Sequence, residues 1–142
     1  MVKKLPYQEF LAIYDKVPRL CVELVLQNDQ GILLTKRAIE PAKGYWHLPG
    51  GTLLKGESVA EAGVRIAAEE LGSEIEMQDL LGFIEYTPEM SAGQGVSLVF
   101  QASLKSIKIT LNEQASEFEY FNPLPEDTIK ETKKFLEQKV LK

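Results

Sequence analysis

Two glutamates, Glu69 and Glu70, stand side by side near the end of the run Gly51-Thr-Leu-Leu-Lys-Gly-Glu57-Ser-Val-Ala-Glu-Ala-Gly-Val-Arg65-Ile-Ala-Ala-Glu69-Glu70-Leu-Gly72. Paired carboxylates present hard oxygen donors, which suit Mg2+ or Mn2+. Ser58 followed by Glu61 reads as a capping box and Gly72 as a C′ glycine, so a helix spans 58–72. At about 100° per residue, with Ile66 at zero, Val59, Ala62 and Gly63 fall within about 60° of it. Glu69 and Glu70 straddle the same face at about −60° and +40°. An apolar stripe thus ends in two carboxylates at the helix end whose dipole repels them, a conflict that a bound cation relieves. The competing reading is a solvated ion-pair ladder, because Glu61, Arg65 and Glu69 recur every four residues.

The elements that must position this helix are legible around it. Tyr7, Phe10, Leu11 and Tyr14 have the spacing of a short amphipathic helix that stops before Pro18. Residues 20–27 and 32–37 read as a hairpin about the turn Asn28-Asp29-Gln30-Gly31, with Cys21 expected inward and Glu23 outward. Strands are expected at 79–87, 95–103, 106–111 and 117–121, and an amphipathic helix from Asp127 to Val140 with a solvated lysine face. The small-residue stretch 87–95 reads as a loop, either a lid over substrate or a dimer contact. Strands mixed with helices indicate an α/β layered domain.

The 142 residues fit one domain, 1–142, with a sizeable core, and no repeat or linker divides them. With 16 Lys+Arg against 21 Asp+Glu, the formal charge of −5 argues against a nucleic-acid polymer as partner. No apolar run approaches the roughly 18–20 residues of a membrane span, and no signal peptide is visible. A single cysteine, Cys21, forms no intrachain disulfide, so a reducing, cytoplasmic setting is expected.

The run 51–73 resembles the Nudix box, a pattern of Gly, five residues, Glu, seven residues, Arg-Glu-apolar-any-Glu-Glu-any-Gly-apolar. Gly51, Glu57, Arg65, Glu69, Glu70 and Gly72 fall in register with it. The resemblance implies an α/β/α sandwich, with a mixed sheet flanked by helices, that hydrolyses a nucleoside diphosphate linked to another moiety. It further implies Glu69 and Glu70 as Mg2+ (or Mn2+) ligands helped by the carbonyl of Gly50, with Glu57 and Arg65 orienting the carboxylates. Gly50 and Gly51 would let the chain turn sharply against the helix. A homodimer is an assembly found in the family.

Two positions depart from the box. Ile66 stands where a glutamate that binds metal or acts as base is usual, and Ser73 replaces the last apolar residue. By the helix arithmetic Ile66 belongs to the apolar stripe. The run Lys36-Arg37…Pro41-Ala42-Lys43-Gly44-Tyr45-Trp46…Pro49-Gly50-Gly51 is similar to the GDP-mannose mannosyl hydrolase branch, which also lacks that glutamate. That branch attacks the sugar carbon with a histidine base that follows a glutamine ligand. Gln114 matches the glutamine, but Ala115 takes the histidine's place. The resemblance makes Arg37 a phosphate contact and puts Gly51 and Gln114 on the substrate side. Candidate bases are Glu117 first, Glu113 second and Glu69 third, with His47 more simply a hydrogen-bonded histidine near the site. The expected activity is Mg-dependent hydrolysis, with a nucleotide sugar favoured. The alternative is a Nudix-fold nucleotide binder that turns its ligand over feebly or not at all, because of Ile66.

Overall fold

The computed structural model describes residues 2–88 and 93–141. Helix α1 (Tyr7–Tyr14) leads into β1 (Arg19–Asn28) and β2 (Gly31–Arg37), followed by two short strands, β3 (Trp46–His47) and β4 (Gly50–Thr52). Helix α2 (Val59–Leu71), β5 (Ile75–Tyr86), β6 (Gly95–Leu104), β7 (Ala115–Phe121) and α3 (Lys130–Lys139) complete the chain. The strands form one seven-stranded mixed sheet in the order β3-β2-β1-β6-β5, with β4 also on β1 and β7 also on β2. The pair β1–β6 is parallel and the remaining pairs are antiparallel.

Residues Cys21–Leu26 of β1 are buried without a break, the mark of a central strand covered on both faces. Val22, Leu24 and Leu26 pack with Ala62, Ile66 and Leu71 of α2. Val25 packs in a second cluster with Ile84, Val99, and Phe135 and Leu136 of α3. Helices therefore cover the sheet from either side, which is the expected α/β/α layering. Helix α2 has the expected ends: Ser58 and Glu61 form a reciprocal capping box, and Gly72 is left-handed at φ 61°.

Several local expectations are corrected. Glu23 points inward, at 6% exposure, together with Cys21 at 5%, because residues two apart share one side of a strand. Strand β5 begins at Ile75, not 79. Its early residues Glu76, Gln78 and Asp79 are exposed on an edge strand, so they carry no apolar signal. No strand forms over 106–111; instead Thr110 N–H donates to the Leu71 carbonyl at 2.7 Å, and Ser73 Oγ–H donates to the Lys108 carbonyl. This segment satisfies the end of α2, and Ile109 and Leu111 pack on the α2 core. Ser73, at 5% exposure, is thus a polar clasp where an apolar residue was expected. Of the loop 87–95, read as a lid or a dimer contact, residues 89–92 lie outside the described residues.

Candidate active site

The end of α2 opens onto a cleft of about 430 Å3 whose walls come from α1, the ends of β1 and β2, β4, and the loop before β7. Arg65 organises its acidic side. Its Nε and Nη2 donate to Glu57 at 3.0 and 2.7 Å, Nη2 also reaches the Thr52 carbonyl at 2.9 Å, and Nη1 reaches Glu69 Oε1 at 3.0 Å. Glu57 Oε1 in turn accepts the Leu54 N–H at 2.9 Å. The guanidinium beside Glu57 holds that carboxyl below its usual range. Glu61 is occupied in the capping box, so the ladder Glu61–Arg65–Glu69 does not form; Arg65 turns to Glu57 and Glu69.

Glu70 is half-buried, and its Oε1 accepts the Gly50 N–H at 3.2 Å. Burial raises its pKa to about 7 against the pull of Gly50 and Arg37. Such a carboxylate is short of positive charge. Glu69 lies beside it, more exposed, with Lys4 Nζ 3.1 Å from its Oε1. Among the described residues no three His, Cys, Asp or Glu side chains converge. The donor set is therefore two carboxylates with the neighbouring Gly50 backbone. It fits Mg2+, which binds through one or two carboxylates and takes its remaining oxygens from water and substrate phosphates.

Gly50 and Gly51 are extended residues of β4, not turn residues. At Gly50 the constraint is close approach: a Cβ there would stand 2.6 Å from Glu23 Cγ and 2.9 Å from the Val22 carbonyl oxygen. Any side chain would push β4 off β1 and move the N–H that Glu70 uses. Ile66, 1% exposed, fills the core between α2 and the sheet and touches the cleft floor beneath Gly51. No carboxylate stands at that place.

Arg37, Gly51 and Gln114, the residues expected to contact substrate, all line the cleft. Arg37 is steadied by donating from Nε to the Pro41 carbonyl. Glu117 does not reach the cleft. In the β2–β7 pair it sits opposite Lys36, 3.8 Å from Nζ, while Arg37 opposes Ala115. Lys36 and Arg37 project to opposite sides of β2, so Glu117 is carried away from Arg37, toward Trp46. Glu113 is exposed outside the cleft lining. Of the three carboxylates considered as base, Glu69 alone lines the cleft. His47 bonds Thr35 Oγ1 at 3.2 Å in a recess of about 100 Å3 that adjoins the cleft at Arg19, Arg37, Gly50 and Gly51. Its ring meets the void of the recess but is otherwise enclosed, and burial beside Arg37 lowers its pKa to about 3. It lines the recess and not the cleft.

Three contributions were not foreseen from the residues. Arg19 and Lys4 bring cations to the cleft, and Tyr7, Phe10 and Tyr14 make α1 an aromatic wall, with Arg19 5.9 Å from the Phe10 ring centre. Glu23 lies in the adjoining recess, where both its oxygens accept from Tyr86 Oη at 2.9 and 2.7 Å. A signal existed: Arg19, Cys21 and Glu23 put three polar or polarisable residues on one side of β1, while Leu20, Val22 and Leu24 occupy the other.

The box residues, their helix and the sheet under it are those of one family. Residues 17–138 match the model of the NUDIX domain, and the chain belongs to the Nudix hydrolase family. It is 33% identical over 126 residues to the low-salt glycan biosynthesis protein Agl8 of Haloferax volcanii, covering 84% of this chain and 81% of that protein. It is 36% identical over 110 residues to an ADP-ribose pyrophosphatase of Methanocaldococcus jannaschii, covering 76% of this chain and 65% of that one. Among solved structures, a MutT Nudix hydrolase from Burkholderia pseudomallei superposes with a TM-score of 0.78 at 29% identity, over 87% of this chain and 98% of that one.

Proposed function

We propose that this protein is a Mg2+-dependent hydrolase of a nucleoside diphosphate linked to a second moiety, with nucleotide sugars the favoured class. The observation that carries this reading is the convergence of Glu69, Glu70 and Gly50 in one cleft that Arg19 and Arg37 also line. A divalent ion held by Glu69 and Glu70, with the Gly50 carbonyl, would neutralise diphosphate charge and polarise the reacting phosphoryl or water oxygen. Arg65 fixes Glu69 while Glu57 fixes Arg65, so the carboxylate does not have to reorganise when the ion arrives. Arg37, with Gln114 beside it, receives the anionic leaving portion. Of the candidate bases Glu69 alone lines the cleft, and it would accept a proton from the attacking water. The names of the two relatives, one in glycan biosynthesis and one an ADP-ribose pyrophosphatase, support a sugar-bearing nucleoside diphosphate as substrate.

A second reading rests on Ile66. Its side chain occupies core where the usual box glutamate would stand, and Ala115 removes the branch's histidine. Both losses favour a protein that binds such a ligand with little turnover. A panel of nucleotide sugars, ADP-ribose, dinucleoside polyphosphates and nucleoside triphosphates, incubated with Mg2+ or Mn2+, separates the two. Turnover that Glu70→Gln removes supports the hydrolase; tight binding without turnover across the panel supports the binder. Products in isotopically labelled water assign the bond: sugar plus nucleoside diphosphate for attack at carbon, sugar phosphate plus nucleoside monophosphate for attack at phosphorus.

A further inference from the structure

Glu69 Oε1 sits between two cations that are held very differently. Arg65, 3.0 Å away, is tied on its other nitrogens to both oxygens of Glu57 and to the Thr52 carbonyl, and its partner Glu57 is only 3% exposed. Lys4, 3.1 Å away, has a side chain 60% exposed, and this is its one ion pair among the described residues. Lys4 belongs to a lightly seated segment. Val2 lies against the 53–57 loop, 3.8 Å from where a Gly56 Cβ would stand, and α1, which follows, buries no residue. Lys4 also lines the cleft, and its charge reaches Glu70 as well as Glu69.

When a divalent ion occupies Glu69 and Glu70, two things change for these cations. The carboxylate's charge is claimed by the ion, and the ion repels both neighbours. Arg65 cannot leave without breaking its bonds to both oxygens of Glu57 and to the Thr52 carbonyl. Lys4 can, because an ammonium on a four-carbon stem with three rotatable donors loses only an exposed pair, worth about 0–1 kcal/mol. A diphosphate held by that ion would offer a new anion to Lys4, which lines the same cleft.

We propose that Lys4 is a relocating cation of this cleft: it neutralises Glu69 while no metal is present and turns to the substrate's diphosphate once a divalent ion takes that carboxylate. The inference rests on the metal site proposed above. Lys4 thereby competes with metal in the free protein and assists substrate in the loaded one, so its removal moves two affinities in opposite directions. A residue that merely supported the fold would move both the same way or neither.

The test is Mn2+ titration of the full chain without nucleotide, followed by paramagnetic resonance, then calorimetric titration of ADP, GDP and UDP at saturating Mn2+. Lys4→Met should tighten Mn2+ about two- to fivefold and weaken the best-bound diphosphate roughly fivefold or more. Lys4→Arg, which keeps the charge, should restore wild-type values in both titrations. If Mn2+ binds to the wild type and is lost in Glu70→Gln, while Lys4→Met leaves both affinities unchanged or shifts them in the same direction, the role of Lys4 is overturned and the metal site stands. A wild-type protein that takes up no Mn2+, or none of the three diphosphates, overturns the role of Lys4 and the proposed function together.

Discussion

Helices α1 and α2 both line the cleft, yet they are held in opposite ways. Helix α2 starts in a reciprocal capping box, ends at a left-handed glycine and buries Ala62, Gly63, Ile66, Ala67 and Leu71. Arg65 further ties it to β4 through the Thr52 carbonyl. Helix α1 has Pro6 at its N-cap with no side-chain cap bond, and buries no residue. What ties it to the rest of the chain is light: Arg19 stands 5.9 Å from the Phe10 ring centre, and Lys4, just before the helix, pairs with Glu69. The wall that must present two carboxylates in one geometry is over-determined, and the wall that meets the organic part of a ligand is left adjustable.

The largest effect expected on this contrast is at Glu70. Glu70→Gln should lower hydrolysis at least about 100-fold. Its metal-free melting temperature should stay level or rise, because a carboxylate that burial destabilises is replaced by a neutral amide. A parallel loss of activity and of melting temperature would make Glu70 a structural residue instead. Next in size come two changes that attack the rigid wall. Arg65→Ala should cost about 2 kcal/mol in chemical denaturation, since it removes the hydrogen bonds that join Glu57, the Thr52 carbonyl and Glu69. Ile66→Glu should cost about 3 kcal/mol or more by placing a charge in the core, without raising the rate. A large gain in rate from Ile66→Glu would show that the absent carboxylate was the sole defect and that the core opens to admit it.

A smaller effect concerns pH. His47 has a folded pKa of about 3 against 6.5 when exposed. The unfolded chain therefore binds its proton first as pH falls. His47 contributes full stability above pH 6.5 and loses it progressively toward pH 3. At about pH 5.5 the loss is about 1.4 kcal/mol. Denaturation curves of wild type and His47→Gln should converge over this window; an unchanged difference between them would place the proton on His47 in the folded protein too. The smallest effect is on the adjustable wall: Tyr7→Ala and Leu11→Ala should each cost less than about 1 kcal/mol, because neither side chain is buried.

This contrast also explains what the residues disclosed in advance. Every signal for α2 was local: Ser58 with Glu61, Gly72, the stripe of Val59, Ala62 and Ile66, and the Glu69-Glu70 pair, all within one helix and its caps. Periodicity and capping act over a few residues, so they can be read without knowing the fold. What could not be read depends on pairing register or on remote partners. Glu117 became exposed because β7 meets β2 with Lys36 opposite it, a register that no local pattern specifies. The segment 106–111 was lost as a strand because the Thr110 N–H and the Lys108 carbonyl serve the end of α2. Lys4 and Arg19 reach the cleft through partners remote in the chain, Glu69 and Thr52, which no local pattern specifies. Glu23 was different: the two-residue period of a strand already put it beside Cys21.

The measurement that tests the central claim most directly is product formation from nucleotide sugars and ADP-ribose in Mg2+, for wild type and Glu70→Gln side by side. The expected result is hydrolysis by the wild type that stops on chelation and falls at least about 100-fold in the variant. Wild-type protein that binds these ligands yet leaves them intact in both Mg2+ and Mn2+, or a Glu70→Gln protein that hydrolyses them as fast as wild type, would contradict it.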